Sequence, residues 1–287
     1  MMGSQSMPLE EKVRAFLACP ECKGPLDVRE ERPWCRGCGF EGAIRDDVVI
    51  MGNAIATSYF DDKFLLMREG HSGEGGDWEF AYGQQVAFLE RFLRTGSVLL
   101  DVGCGPSICY KKPEGSFLVG LEYSFPSIRS NGDVDLRICG SATALPLGEG
   151  AVDLAVCFYS LHHMVGDTVR ESVAIVEKVF GELGRVIKPG GNLVVFEMRP
   201  WWPFRLAQSV CWDLARKVLG GKLDMHMWPQ AALEPPGKGR FPGAQFEVRV
   251  FETSILHMLS PVFALPWLKI PRVMYPLSPV AYVWAKP

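Results

Sequence analysis

Four cysteines are spaced for a metal ion. Cys19-Pro20-Glu21-Cys22 and Cys35-Arg36-Gly37-Cys38 are two CxxC pairs separated by twelve residues. Such pairs can present four thiolates tetrahedrally to Zn²⁺. Gly24 and Gly39 lie just beyond each pair, where a missing Cβ lets the backbone bend so that N–H groups point at sulfur. Four thiolates leave no open coordination position, so the expected role is structural. A ribbon this small buries little core and would take its folding energy from the metal. Two disulfides or a [4Fe–4S] cluster are the alternative uses of the same thiols.

A second group of residues follows a short apolar run. Residues 98–102 predict a buried strand that carries Asp101 and leads into Gly103 and Gly105. Two glycines let a chain turn sharply and approach a ligand closely. Glu122 ends the next apolar run, 17 residues after Gly105, where an acid can accept both hydroxyls of a ribose. Phe158, Tyr159, His162 and His163 follow a further strand at 152–157. Histidine titrates near neutral pH, which makes His163 and then His162 the candidate general bases. Either ring can instead hold its loop by hydrogen bonds, and for His162 that is the favoured use. Tyr159 is a further candidate to line the site, and Cys157 reads as core.

Alternating strands and helices must position these groups. The pattern predicts a helix over 78–93, strands at 117–122 and 192–197, and an amphipathic helix over 169–186. On the latter, Val173, Val176, Val179, Phe180 and Leu183 share one face, and Lys188-Pro189-Gly190-Gly191 supplies a turn after it. Residues 201–219 read as a helix, with strands at 245–251 and 281–284. The expected fold is α/β, a parallel sheet with helices on both faces. The expected division is a ribbon at 1–52, a helical linker on the substrate side at 53–95 with a flexible glycine-rich loop at 70–76, and a main domain at 96–287. That domain would carry an aromatic-rich cap at about 200–245.

The blocks around Asp101-Val102-Gly103-Cys104-Gly105, Gly140-Ser141-Ala142-Thr143, 152–156, Ser160-Leu161-His162-His163-Met164 and 183–193 together resemble the class I S-adenosylmethionine (SAM)-dependent methyltransferases. The resemblance implies a Rossmann-like seven-stranded sheet with SAM over the C-terminal strand ends. It implies that Asp101, Gly103 and Gly105 shape the methionine side, Glu122 holds the ribose, Ser141 and Ala142 border the adenine, and Phe158 lies near the cofactor. Two features depart from that family. Ser141 stands where aspartate is usual, and the first helix after Gly105 is short and carries Pro113. Residues 16–26 and 44–51 resemble the small zinc-ribbon proteins that partner and activate methyltransferases. A ribbon ahead of such a domain is also similar to the ribosomal-RNA guanine-N1 methyltransferase family, whose ribbon engages RNA.

The formal net charge is −3 and the pI about 6.0, so nothing global draws the chain to nucleic acid. The ribbon itself has an acidic balance, which weakens an RNA role. No Asn/Asp-Pro-Pro-Tyr/Phe follows the 152–157 strand, which disfavours adenine amino-group methylation, and no Pro-Cys loop suits attack on a pyrimidine. Trp201, Trp202, Phe204, Trp212, Met225, Met227 and Trp228 suggest a cap over an apolar acceptor. Ordinary packing, a membrane-surface helix, or stacking on an RNA base are the other uses of these side chains. The expected function is methyl transfer from SAM to a small apolar or aromatic acceptor, with structural Zn²⁺. The alternatives are an RNA base methyltransferase that uses the ribbon for recognition, and a non-catalytic scaffold whose ribbon docks a protein partner. No transmembrane run and no secretory signal are evident, and the thiols read as reduced, so the expected compartment is the cytoplasm.

Overall fold

The computed structural model describes residues 7–52, 77–220, 223–251 and 277–287. The stretch 53–76, with the expected glycine-rich loop, lies outside them.

The chain begins with α1 (Leu9–Phe16), which carries Glu10 and Glu11 in its first turn and Arg14 in its last, signs that suit the helix dipole. Two antiparallel hairpins follow: β1 (Leu26–Arg29) with β2 (Arg32–Cys35), and β3 (Ala43–Arg45) with β4 (Val48–Ile50). Each closes on two left-handed residues, Glu30-Glu31 and Asp46-Asp47, the backbone form that matches strand twist.

After α2 (Asp77–Leu89), the apolar runs become the strands of one sheet. In chain order these are β5 (Val98–Val102), β6 (Phe117–Glu122), β7 (Leu136–Cys139), β8 (Val152–Phe158) and β9 (Ile187–Pro200). Helix α3 (Phe125–Ser130) lies between β6 and β7, and α4 (Val169–Val186) between β8 and β9. Two helices, α5 (Trp202–Leu219) and α6 (Gln230–Arg240), form the region expected as a cap. The antiparallel strands β10 (Gln245–Val250) and β11 (Leu277–Ala285) complete the sheet. Its order is β10-β11-β9-β8-β5-β6-β7-β4-β3.

Strands β5 to β11 supply the seven of the expected Rossmann-like sheet. The sheet has nine because the hairpin β3–β4 joins its edge, β4 running parallel to β7 with Val48 opposite Arg137 and Ile50 opposite Cys139. The ribbon is therefore continuous with the main sheet. The Lys188-Pro189-Gly190-Gly191 turn is taken into β9, where the pairing with β8 shifts register between Val152 and Leu154.

Helix α4 starts at a capping box, Thr168 with Glu171, and buries Val176, Val179, Phe180 and Leu183 on one face of the sheet. The connection from β7 to β8 contains only a 3-10 turn, Ala142–Ala144. Helix α1 covers the surface this leaves bare. Val13 and Leu17 enter the same core as Val119, Leu136 and Ile138, and Phe16 stacks on Phe117 at 4.2 Å. The opposite face packs Phe88 and Leu89 of α2 and Phe125 and Ile128 of α3.

Candidate active site

The four ribbon thiols converge. Their sulfurs all lie within 4.8 Å of one another, with Cys19 to Cys38 at 3.5 Å and Cys22 to Cys35 at 3.4 Å. A tetrahedral ion at about 2.3 Å from each sulfur would space them about 3.8 Å apart, so the set fits Zn²⁺. None of the nine cysteines forms a disulfide. The amide of Cys38, and then that of Gly37, hydrogen-bonds to the Cys35 sulfur, and its thiol is pulled down to about 7. The bends occur at Lys23 (φ 62°) and Gly39 (φ 78°) rather than at Gly24. Gly24 serves by close approach, since a Cβ there would sit 3.4 Å from the Cys22 sulfur.

The same ribbon touches the loop expected to border adenine. Ala18 N donates to Pro146 O at 3.0 Å. Lys23 Nζ donates to Glu182 Oε2 at 2.7 Å, and Arg185 Nη1 to Leu147 O at 2.6 Å. Within that loop Ser141 caps the 3-10 turn: its Oγ accepts from Thr143 N at 3.3 Å and lies 2.8 Å from Thr143 Oγ1. Ala142 is buried beside it.

The glycine loop joins β5 to the site. Gly103 and Gly105 both have positive φ, 73° and 59°. A Cβ on Gly103 would lie 2.4 Å from Ser160 Cβ, so this glycine admits the β8 loop, whose Ser160 Oγ donates to Val102 O at 2.6 Å. The first helix expected after Gly105 is absent, and residues 103–116 are turns and coil. Asn131, missed by the sequence reading, takes over part of its work by donating from Nδ2 to Gly105 O at 2.9 Å. Glu122 is fixed at both oxygens: Oε2 accepts from Gly105 N at 3.1 Å and Oε1 from Ser124 N at 2.9 Å.

Asp101 is buried. Its Oδ2 accepts from Tyr110 OH at 2.8 Å, while Oδ1 has no hydrogen-bond partner among the described residues. Burial pushes its carboxyl up to about 7 against the lowering effect of Tyr110. An unsatisfied buried acceptor calls for a donor, and a cationic amino group such as that of SAM fits it. Glu122, presented by two amides, fits a ribose diol.

Beyond β8 the site is aromatic. Phe158 lies 4.7 Å from Phe196 and 5.4 Å from Tyr82 of α2, ring centre to ring centre. Tyr159 adopts φ 52°, a strained backbone for a bulky residue, and is held there by Gln85 Nε2, 3.1 Å from its OH. Gln85 is fully buried, and its Oε1 likewise has no hydrogen-bond partner among the described residues.

The two histidines differ. His162 is buried, with Nδ1 2.8 Å from Glu197 Oε2 and its amide donating to Glu197 Oε1 at 3.0 Å. Burial, and then the neighbouring His162, pushes His163 down to about 3, so it stays neutral and is a weak base. Its Nδ1 lies 3.2 Å from Asp224 O. Glu197 had no sequence signal, because one acid at a strand end has no partner spacing. Residues 224–228 brace this loop through His226 N, which donates to His162 O at 2.8 Å.

Comparison with known proteins adds to this geometry. Residues 100–195 match a methyltransferase domain family. The chain is 32% identical over 117 residues to an Arabidopsis thaliana tRNA (carboxymethyluridine(34)-5-O)-methyltransferase, a match covering 40% of this chain and 28% of that protein. It is 27% identical over 177 residues to an uncharacterized methyltransferase of Synechocystis sp., covering 56% and 78%. The chain thus spans little more than a quarter of the first relative. Among solved structures, the [4+2]-cyclase SpnF is similar with a TM-score of 0.53 at 16% identity, covering 79% of this chain and 94% of that one. A geranyl diphosphate methyltransferase gives 0.51 at 16%, covering 71% and 78%. Residues 100–195 thus match a methyltransferase domain, within a fold shared with these solved structures.

Proposed function

We propose that this domain transfers the SAM methyl group to a small apolar or aromatic molecule. The observation that carries the reading is the aromatic cluster of Tyr82, Phe158, Tyr159 and Phe196 at the end of β8. Bound SAM supplies an electrophilic sulfonium methyl. The protein's own work is orientation: Asp101 receives the amino group, Glu122 the ribose, and the 141–142 loop the adenine. Rings at β8 exclude water from the acceptor side, which strengthens electrostatics there. Where the acceptor must lose a proton, His162 is the base. The Glu197 carboxylate holds the Nδ1 proton, so that Nε2 is the accepting atom. His163 and Tyr159 then shape the pocket.

A second reading, an RNA base acceptor, draws on the tRNA methyltransferase relative. Two ribbon arginines are already engaged by rings, Arg29 over Trp34 and Arg45 over Phe125, each at 3.8 Å, which leaves less cationic surface for phosphate. The test is transfer of labelled methyl from SAM to a panel of small aromatic and prenyl-like molecules, with bulk tRNA and rRNA run in parallel. Label on small molecules, lost in Tyr159→Ala, supports the first reading. Label only on RNA overturns it.

A further inference from the structure

The outer side of α5 carries an uncovered apolar row. Trp202, Leu206, Val210, Leu214 and Val218 recur at every fourth residue, so they stand on one side of a helix about 27 Å long. They are 56–74% exposed, and Trp201, Phe204, Leu219 and Met225 flank them at 41–50%. Isolated exposed leucines are ordinary, but a continuous apolar stripe marks an interaction surface.

The charges on α5 indicate the partner. Its one acid, Asp213, is exposed and accepts from Val169 N at 2.9 Å at the start of α4. Arg216 is turned to the body of the protein, with Nε 3.3 Å from Asp167 Oδ1. Arg205 and Lys217 remain exposed and form no ion pair among the described residues. An apolar stripe with cations beside it and tryptophans at one end is the pattern of a helix lying in a bilayer interface. Lysine there can extend its stem along the stripe and keep its ammonium among the headgroups. No described helix is long and apolar enough to cross a membrane, so the contact is with one leaflet.

We propose that α5 docks the protein on an anionic lipid bilayer, with the Trp202–Leu206–Val210–Leu214–Val218 row among the acyl chains. This goes beyond the methyl-transfer reading and does not depend on it.

The test is co-sedimentation of the full chain with phosphatidylcholine vesicles, with and without phosphatidylglycerol, for the wild type and for Leu206→Glu combined with Leu214→Glu. Both positions are exposed, so an unchanged circular-dichroism spectrum and thermal midpoint report an intact fold. Arg205→Gln with Lys217→Gln is the second variant. The expected result is binding to anionic vesicles, at least tenfold weaker to neutral ones, and at least tenfold weaker for either variant. Absence of binding to anionic vesicles overturns the proposal, as does undiminished binding by the Glu variant. A concentration-dependent dimer, seen by light scattering and lost in the Glu variant, overturns it in favour of a self-interface.

Discussion

His162 and Glu197 form a buried couple 2.8 Å apart, with the same carboxylate also capping the His162 amide. They are 35 residues apart in the chain and meet because β8 and β9 are parallel neighbours. One carboxylate thus fixes both the ring and the loop that carries it.

Glu197→Gln tests that couple. The amide preserves volume but no longer holds the Nδ1 proton as a carboxylate does. We expect kcat to fall about 10²-fold with SAM affinity kept, in the range of lost general-base catalysis. Calorimetry and steady-state rates check it, and an equal loss of SAM affinity would assign the couple to holding the fold alone.

Asp101 predicts a pH dependence. Its carboxyl is raised to about 7 in the folded protein by burial, well above the usual carboxylate value. The folded state therefore favours the protonated acid, and this contribution to apo-protein stability is lost as pH rises through about 7. A cationic ligand favours the ionised form. SAM affinity should accordingly rise between pH 6 and 8, with proton release on binding, and Asp101→Asn should flatten the trend. Titration calorimetry in two buffers of different ionisation enthalpy measures it.

Glu122→Ala removes the acceptor for two backbone amides as well as for the ribose. Hydrogen bonds to charged groups contribute about 1.5–3 kcal/mol each, so SAM affinity should drop on the order of 100-fold. Binding within threefold of wild type would remove Glu122 from the cofactor site.

Gly103→Ala places a methyl 2.4 Å from Ser160 Cβ at φ 73°. Left-handed strain of about 1–2 kcal/mol and overpacking of about 1–3 kcal/mol add at this position. Urea unfolding should show a loss of roughly 2–5 kcal/mol, together with weakened SAM binding.

The ribbon should behave as part of the main domain. Cys35→Ser should abolish the one Zn²⁺ per chain expected by elemental analysis. It should also speed amide exchange at 141–147, where the ribbon contacts the loop beside the predicted adenine site. Removing residues 1–52 uncovers Phe117, Leu136 and Ile138, and we expect the truncated chain to aggregate. A soluble, SAM-binding truncation would show that the ribbon is dispensable.

Much of this protein is legible in local order. Strand runs such as 98–102 and 117–122, the 169–186 helix and both CxxC pairs announce themselves because period, capping and ligand spacing are short-range properties. The conformation of Gly103 and Gly105 belongs with them. Other features depend on packing between distant segments. Strand β7 is only four residues long, and α6 contains Pro235 and Pro236, so neither carries a clear pattern of its own. That the ribbon hairpin would extend the sheet beside β7, and that α1 would cover a face left bare by a short connection, depends on which edge and which surface remain unpaired once the sheet has formed. Glu197, Asn131 and Gln85 acquire their roles in the same way. A lone polar residue has no sequence signature, and only the fold places its partner within hydrogen-bond reach and removes the water that would otherwise compete.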